Sequence, residues 1–181
     1  MTTRRSSGFD VSLRPEAPIS SRVRSLRPDD RSQIEALLRA SSNFTADEVE
    51  TALEVIDDAL DGDPDYLVQV LVNEAEVLGY ECHGPVPLTV GTYDLYWIAV
   101  DPRVHNRGYG RVLLRAAEED IAARAGRLML IETSSQASYE STVRFYERNA
   151  YRLEARIRDF YRPGDDKLIF AKNIEPDIVR A

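Results

Sequence analysis

The chain has 181 residues, of which 43% are hydrophobic and 30% charged, a balance typical of one globular domain with a substantial core. Its net charge of −8 argues against nucleic acid as a partner, because phosphate backbones are bound by basic surfaces. A single cysteine excludes an internal disulfide, and with only two histidines we expect no metal site.

The apolar runs and the N-terminal segment indicate where in the cell the protein is expected. The longest apolar runs span only a few residues, so we expect no contact with a membrane through a spanning helix. The N-terminal segment MTTRRSSGFD lacks the apolar stretch of a secretory signal, and the expected location is the cytoplasm. Residues 1–21 show no hydrophobic periodicity, which predicts a flexible tail followed by one domain over 22–181.

The domain is predicted to begin with a short strand and two amphipathic helices. Arg22–Leu26 alternates polar and apolar residues, as a strand does. A helix follows that ends near Ser41, and Thr45 with Glu48 forms a capping box for a second helix that ends at Gly62. The buried faces would consist of Ile34, Leu37 and Leu38 in the first helix and of Val49, Leu53, Ile56 and Leu60 in the second.

Three strands are expected next. Tyr66–Val72 and Val77–His83 are separated by a short turn, which predicts an antiparallel hairpin. Gly84–Pro87 would break the pairing. Asp94–Val100 is apolar and rich in aromatic and β-branched residues, which predicts a buried strand that stops at Asp101–Pro102.

A glycine-containing turn after this strand predicts an anion site. Gly108 and Gly110 would open a long helix with Gly126 as its C-cap. The free N–H groups and the dipole of a helix N-terminus attract phosphate, and glycine lets the backbone approach it closely. The same turn could also be an ordinary connection between a strand and a helix.

The C-terminal part is predicted to add three strands and a helix. Leu128–Thr133 would be a buried strand, parallel to the 94–100 strand through a right-handed crossover. Ser138–Asn149 would be a helix with Val143, Tyr146 and Ala150 on its apolar stripe. Two final strands, Arg152–Phe160 and Leu168–Ile174, would flank a loop over 162–166.

The predicted order is β-α-α-β-β-β-α-β-α-β-β, an α/β (α+β) fold. Together with the segment IAVDPRVHNRGYGRVLL, this order resembles the GNAT superfamily of acyl-CoA-dependent N-acyltransferases. The pyrophosphate motif of that superfamily is Q/R-x-x-G-x-G/A, in which Gly108 and Gly110 match and His105 replaces Gln or Arg. The segment STVRFYERNAY is similar to a later helix motif of the superfamily, with Tyr146 as its tyrosine and Ala150–Tyr151 in place of Gly-Phe.

The resemblance implies the GNAT fold, with a mixed central sheet of roughly six to seven strands and flanking helices. It also implies acetyl-CoA as co-substrate. The glycine turn would bind the pyrophosphate, and the backbone of the preceding strand would bond the pantetheine arm. The implied coenzyme-binding residues are Ile98, Ala99, Val100, His105, Asn106, Arg107, Gly108, Tyr109, Gly110 and Arg111.

Three residues are candidates for catalysis. The resemblance implies that Tyr146 protonates the departing thiolate, although it could also be a core tyrosine. A lysine-type amine has a pKa of about 10.4 and must lose a proton before attack. Asp94, five residues before Ala99, is the first candidate base and Glu132 the second, although Asp94 could be a solvated strand end and a water chain could replace a base.

The acceptor pocket is predicted from aromatic and acidic residues, which suit a cationic amine. The candidates are Tyr93, Tyr96, Trp97, Glu81 and Tyr161, with Asp165 and Asp166 in the nearby loop. The same residues could instead form a solvated acidic loop.

Three functions agree with the sequence. The first is an N-acetyltransferase for a small-molecule or amino-acid-like amine. The second is the same chemistry on a protein lysine or N-terminus, and the third is a non-catalytic acyl-CoA-binding regulatory module. A closed pocket lined by Tyr93, Trp97 and Tyr161 would favour the first function over the second. Homodimers are common in the superfamily that the chain resembles, but no segment of the sequence marks an interface.

Overall fold

The structure is a computed structural model that describes residues 21–175, and the predicted tail lies outside these residues except for Ser21. The order of elements is the predicted one, so the expected α/β architecture is confirmed. The helices are α1 (Arg31–Ala40), α2 (Ala46–Asp61), α3 (Tyr109–Ala123) and α4 (Glu140–Arg148). The strands are β1 (Ser21–Ser25), β2 (Leu67–Asn73), β3 (Glu76–Pro85), β4 (Thr92–Val100), β5 (Leu128–Ser134), β6 (Arg152–Arg162) and β7 (Asp165–Asn173).

One sheet of seven strands organises the fold, in the order β1-β2-β3-β4-β5-β7-β6. Neighbouring strands are antiparallel except for β4 and β5, which are parallel. The predicted hairpin of β2 and β3 is therefore present, as is the predicted parallel pair on either side of α3. Among the described residues, no helix has both the length and the apolar character that crossing a membrane requires.

Separate cores form on the two faces of this sheet. Successive residues of β2 face opposite ways, so that Val70 packs with residues of α1 and α2 whereas Leu71 packs with Leu113 of α3. The predicted apolar faces of α1 and α2 are buried, apart from the half-buried Leu60. Helix α2 begins at the predicted capping box and ends at Gly62, whose φ of 90° is left-handed.

After both α3 and α4 an alanine takes the left-handed conformation, whereas Gly126 was predicted to cap α3. The residue with a left-handed backbone conformation after α3 is Ala125, with a φ of 58°. The N–H of the next residue, Gly126, donates to the carbonyl of Ile121 at 2.8 Å. Gly126 is therefore not the left-handed cap residue. It is needed for close packing, since an added Cβ would lie 2.3 Å from Cγ2 of Ile121. In α4 the left-handed residue is Ala150, with a φ of 68°.

Ala150 was predicted to lie on the apolar stripe of α4. It is exposed and lies beyond the last residue of the helix. Val143 is half-buried and Tyr146 is buried, so these two residues form the stripe. The misassignment arises because periodicity alone continues past the point where the backbone turns out of the helix.

Two strand boundaries also differ from the prediction. Gly84 and Pro85 continue β3 and pair with β4, where they were expected to break the pairing. Gly84 permits a close backbone approach, because an added Cβ would lie 1.9 Å from the carbonyl oxygen of Asp65. Between β6 and β7 the connection is only Pro163–Gly164, so Asp165 and Asp166 belong to β7 and are buried.

Candidate functional site

The site begins where β4 separates from β5. Pairing between the two strands stops at Leu95. The register of β4 against β3 shifts at the next residue, because Tyr96 is an extra residue that forms a β-bulge. The bulge reverses the alternation of faces: Leu95 packs with α3 and α4, whereas Trp97 packs with the core of α1 and α2. Beyond Tyr96, β4 no longer pairs with β5, and a cleft opens between them.

The cleft has a volume of about 1100 Å³ and is bounded by β4, β5, α3, α4 and the connection between α1 and α2. Most of the predicted site residues line it. They are Tyr96, Trp97, Ile98, Ala99, Val100, His105, Asn106, Gly108, Tyr109, Gly110, Arg111, Glu132, Tyr146 and Tyr161. The predicted residues that do not line it are Glu81, Tyr93, Asp94 and Arg107.

One end of the cleft contains the N-terminus of α3. Gly108 precedes the helix with a φ of 84°, which favours glycine. Within residues 21–175, the N–H groups of Tyr109 and Gly110 donate to no protein acceptor. Arg111 and Arg148, the latter at the end of α4, line the cleft as well. Free N–H groups, the helix dipole and two guanidinium groups therefore make this end suitable for an anion.

His105 is bonded within this turn. Its Nε2–H donates to the carbonyl of Val100 at 2.8 Å, which fixes that ring nitrogen as the protonated one. The imidazole thus joins the end of β4 to the turn before α3. The His105 side chain, at the first position of the glycine motif, therefore fixes the backbone that leads into α3.

Tyr146 projects from α4 into the cleft wall and is 4% exposed. Its ring packs against Phe145, Tyr151 and Phe170. Burial raises the pKa of the phenol well above its usual range, so the hydroxyl carries its proton at neutral pH. Among the described residues the hydroxyl has no hydrogen-bond partner, which leaves it available to a molecule in the cleft.

Glu132 and Asp94 lie near each other, but only Glu132 lines the cleft. Glu132 is on β5 just beyond the last pair with β4, and it forms an ion pair with Lys167. Asp94 is half-buried. Burial raises its pKa, the nearby Glu132 carboxylate raises it further, and Lys167 opposes the shift. The structure therefore places one candidate base at the cleft and the other behind it.

Glu81 and Tyr93 lie on the α3 side of the sheet, away from the cleft. Glu81 is fully buried, and its Oε2 accepts a hydrogen bond from Nδ1 of His83 at 2.9 Å. Burial raises the pKa of Glu81 to about 7. Tyr93 packs near His83, with ring centroids 6.3 Å apart. The sequence shows that a strand is present but not which of its faces is turned towards the site.

The α1–α2 connection, the start of α2 and the turn before α4 supply cleft residues that the sequence did not indicate. Phe44 contacts Trp97 edge to face, with ring centroids 5.8 Å apart. Tyr139 donates from its hydroxyl to the carbonyl of Asn43 at 3.4 Å. Glu48 also lines the cleft. The capping box at Glu48 was visible in the sequence, but no sequence signal shows that this helix end faces the site.

Asp165 completes this end of the cleft. Its carboxylate accepts a hydrogen bond from Oγ of Ser134 at 2.5 Å and from Nε2 of Gln136 at 2.7 Å. Asp165 is buried, so the predicted exposed acidic loop is absent at this residue. Aromatic rings and carboxylates therefore surround the end of the cleft opposite the α3 N-terminus.

Comparisons with known proteins point to one family. A sequence model of the Acetyltransferase (GNAT) family matches residues 32–151. A protein of Desulfovibrio desulfuricans assigned to the GNAT acetyltransferases has a crystal structure that covers 86% of this chain and 99% of its own, with 37% identity and a TM-score of 0.83. No curated protein sequence matches the chain.

More distant structures share the fold. The ribosomal-protein-S18-alanine N-acetyltransferase of Escherichia coli covers 89% of this chain and 98% of its own, at 18% identity and a TM-score of 0.71. The PaiA N-acetyltransferase of Thermoplasma acidophilum, solved in complex with coenzyme A, covers 85% of this chain and 99% of its own, at 17% identity and a TM-score of 0.67.

Proposed function

The chain belongs to the Acetyltransferase (GNAT) family, and we propose from this premise that it transfers an acetyl group from acetyl-CoA to the primary amine of a small-molecule or amino-acid-like acceptor. The observation that carries the proposal is the position of the Tyr146 hydroxyl. It is unpartnered among the described residues and lies in the cleft where β4 and β5 separate.

The end of the cleft at α3 would hold the coenzyme. The N–H groups of Tyr109 and Gly110 and the guanidinium of Arg111 suit the pyrophosphate. Beyond the bulge, Ile98–Val100 lacks a pairing partner on the β5 side and can hydrogen-bond the pantetheine arm through its backbone. Acetyl-CoA supplies the activated acetyl group as a thioester, and the protein orients it towards the acceptor.

An amine that arrives as an ammonium ion gives up two protons, one before and one after its attack, and the thiolate takes up one. The amine nitrogen forms a bond to the acetyl carbon as the bond from carbon to sulfur breaks, and Tyr146 gives its proton to the sulfur. Glu132 takes the protons of the amine in turn, directly or through water; one passes to the solvent, and the other returns through water to the Tyr146 phenolate. Asp94 lies behind the cleft wall with a raised pKa, so it is the alternative base and would act through an intervening water.

The function is tested by two measurements on the pure protein. Acetyl-CoA should raise the melting temperature, by roughly 2–4 °C for each kcal/mol of binding free energy in a domain of this size. A panel of primary amines should then release free thiol from acetyl-CoA. A raised melting temperature without thiol release from any amine would favour a non-catalytic coenzyme-binding module.

A further inference from the structure

The charges along the cleft divide between its two ends. The α3 end carries Arg111, Arg148 and the free N–H groups of a helix. The opposite end carries three carboxylates, those of Glu48, Glu132 and Asp165, against one guanidinium, that of Arg162, and the phenol rings of Tyr139 and Tyr161 lie among them. The first end suits the phosphates of a coenzyme, so the second must suit the acceptor.

The carboxylates at the acceptor end differ in how many hydrogen bonds and ion pairs they form within the protein. Glu132 is paired with Lys167. Asp165 accepts hydrogen bonds on both oxygens and lies 3.7 Å from Arg162. Glu48 is different: its Oε2 accepts from the backbone N–H and the hydroxyl of Thr45, at 2.7 and 2.9 Å. Within residues 21–175 its Oε1 accepts no hydrogen bond, and the half-buried side chain lines the cleft.

The capping box therefore holds the Glu48 carboxylate through one oxygen and leaves the other without a hydrogen bond among residues 21–175. The surrounding phenols support this placement. Burial raises the pKa of both Tyr139 and Tyr161, and the Glu48 carboxylate raises both pKa values further. The hydroxyl of Tyr146, which is 4% exposed and unpartnered in the described structure, marks the reacting end of the same cleft independently.

A carboxylate that pairs with the reacting nitrogen without taking its proton, unlike the proposed base Glu132, would oppose the reaction. The amine must be neutral when it attacks, and a nearby negative charge raises the pKa of an ammonium group. The attraction of Glu48 is useful only if it acts on a nitrogen that keeps its charge throughout the transfer. Binding free energy from a remote part of the substrate can position the reacting group in this way.

We propose that the acceptor carries a second, non-reacting cationic group, that Glu48 binds this group, and that the acceptor class is a small aliphatic diamine. This inference rests on the proposed acetyl transfer. Tyr139 and Tyr161 would flank the bound cation with their rings, as aromatic side chains do around ammonium groups.

The test compares α,ω-diaminoalkanes of three to eight carbons with the monoamines of equal length, measured by thiol release from acetyl-CoA. The best diamine should exceed its matched monoamine at least about tenfold in kcat/KM, because it gains one charge-assisted hydrogen bond at a partly buried site. The advantage should shrink as salt is added, since the contact is between charges.

The variant that isolates the contact is Glu48→Gln. Glutamine also serves in a capping box, so the helix start is kept while the charge is removed. KM for the diamine should rise about five- to tenfold with kcat little changed, so the preference for the diamine over the matched monoamine in kcat/KM should fall by that factor. Glu50→Gln is the control, because it removes one charge from an exposed position of the same helix outside the cleft.

The outcomes separate this inference from the function on which it rests. Equal kcat/KM values for diamines and monoamines, in an enzyme that acetylates both, overturn the second cationic site and leave the acetyl transfer intact. Equal losses with Glu48→Gln and Glu50→Gln also overturn it, because they would reflect overall charge. Inactivity towards every amine overturns the proposed function and this inference together.

Discussion

At the scale of single residues, Tyr146 belongs both to the core and to the cleft wall. Its ring belongs to the core beneath α4, and its hydroxyl reaches the cleft. The motif in the sequence indicated the tyrosine, and the structure adds that the phenol is buried and protonated. The sequence left open whether Tyr146 belongs to the core or to the site. In the structure its ring packs in the core and its hydroxyl lies at the cleft.

We expect Tyr146→Phe to lower kcat for thiol release at least about tenfold, the lower range of general acid catalysis, because the departing thiolate loses its proton donor. The affinity for coenzyme A should change little, since the ring is kept. Steady-state kinetics and the coenzyme-induced shift in melting temperature measure the two effects separately.

Tyr151→Phe is the matched control for that experiment. Tyr151 lies in the same core, but its hydroxyl donates to Glu118 at 3.0 Å and it does not line the cleft. The control should lose stability and keep its kcat. A Tyr146→Phe enzyme with unchanged turnover would remove Tyr146 as the acid.

Residues of the acceptor side were harder to predict. Tyr96, Trp97 and Tyr161 line the cleft as expected, whereas Glu81 and Tyr93 do not. All but Tyr161 lie on two adjacent strands, where successive side chains face opposite ways. The bulge at Tyr96 reverses this alternation, and no local signal in the sequence reveals it.

At the scale of elements, three helices end with a left-handed residue, but only one uses glycine there. Gly62 ends α2, whereas Ala125 and Ala150 hold the equivalent positions after α3 and α4. The N–H of Tyr151 donates to the carbonyl of Tyr146 at 3.1 Å, so the turn at Ala150 closes on the backbone of the candidate catalytic residue. Alanine in this conformation costs roughly 1 kcal/mol relative to glycine.

We predict that Ala125→Gly and Ala150→Gly each raise the free energy of unfolding by up to about 1 kcal/mol, the strain relieved being partly offset by the greater freedom of glycine in the unfolded chain. Gly62→Ala should lower it by about the same amount, since an added Cβ there meets no atom within 4 Å and only the backbone is strained. Urea denaturation measures the three changes in the free energy of unfolding, provided that the m-value is the same in every variant.

Ala123→Gly is the control for these substitutions. Ala123 is the last residue of α3 and has helical backbone angles, so glycine should destabilise it by roughly 0.5–1 kcal/mol. A loss of stability in Ala125→Gly or Ala150→Gly similar to that of Ala123→Gly would contradict the strained-cap interpretation.

At the scale of the whole molecule, a buried ionic cluster joins α3 to the sheet. Nδ1 of His83 faces Glu81, and its Nε2 faces Asp120 at 3.1 Å, so that both ring nitrogens face carboxylates. Burial by itself would lower the pKa of His83, but the hydrogen bonds to Asp120 and Glu81 outweigh it and raise the pKa to about 9. The hydrogen bond from His83 also lowers the pKa of Asp120 to about 2.

This cluster should make stability depend on pH. The folded state favours protonated His83, so its stabilisation is complete below about pH 6.5, the pKa of a free imidazole, and is lost as the pH rises towards 9. The raised pKa of Glu81 acts in the same direction between about pH 4.5 and 7. We expect the free energy of unfolding to fall by on the order of 2 kcal/mol between pH 6.5 and 9.

The chain has only two histidines, which provides a simple control. His83→Asn should flatten the decline, whereas His105→Asn should keep it, because His105 is exposed. If His83→Asn does not fold, the two imidazole resonances of the wild-type protein can be followed by NMR. A His83 resonance that titrates near pH 6.5 would contradict the buried ionic cluster.

The sequence by itself determined the order of elements and the family motifs, and it indicated most residues at the α3 end of the cleft, although the predicted Arg107 does not line it and Arg148, which was not predicted, does. These follow from periodicity, capping residues and a glycine turn, which act between residues that are close in the chain. The tertiary structure decided how the opposite end is assembled, because it brings Glu48 and Tyr139 to the predicted Glu132 and Asp165 from separate elements that meet only when β4 leaves β5. Which face of a strand meets a cleft depends on the register of its neighbours, and one bulge can reverse it.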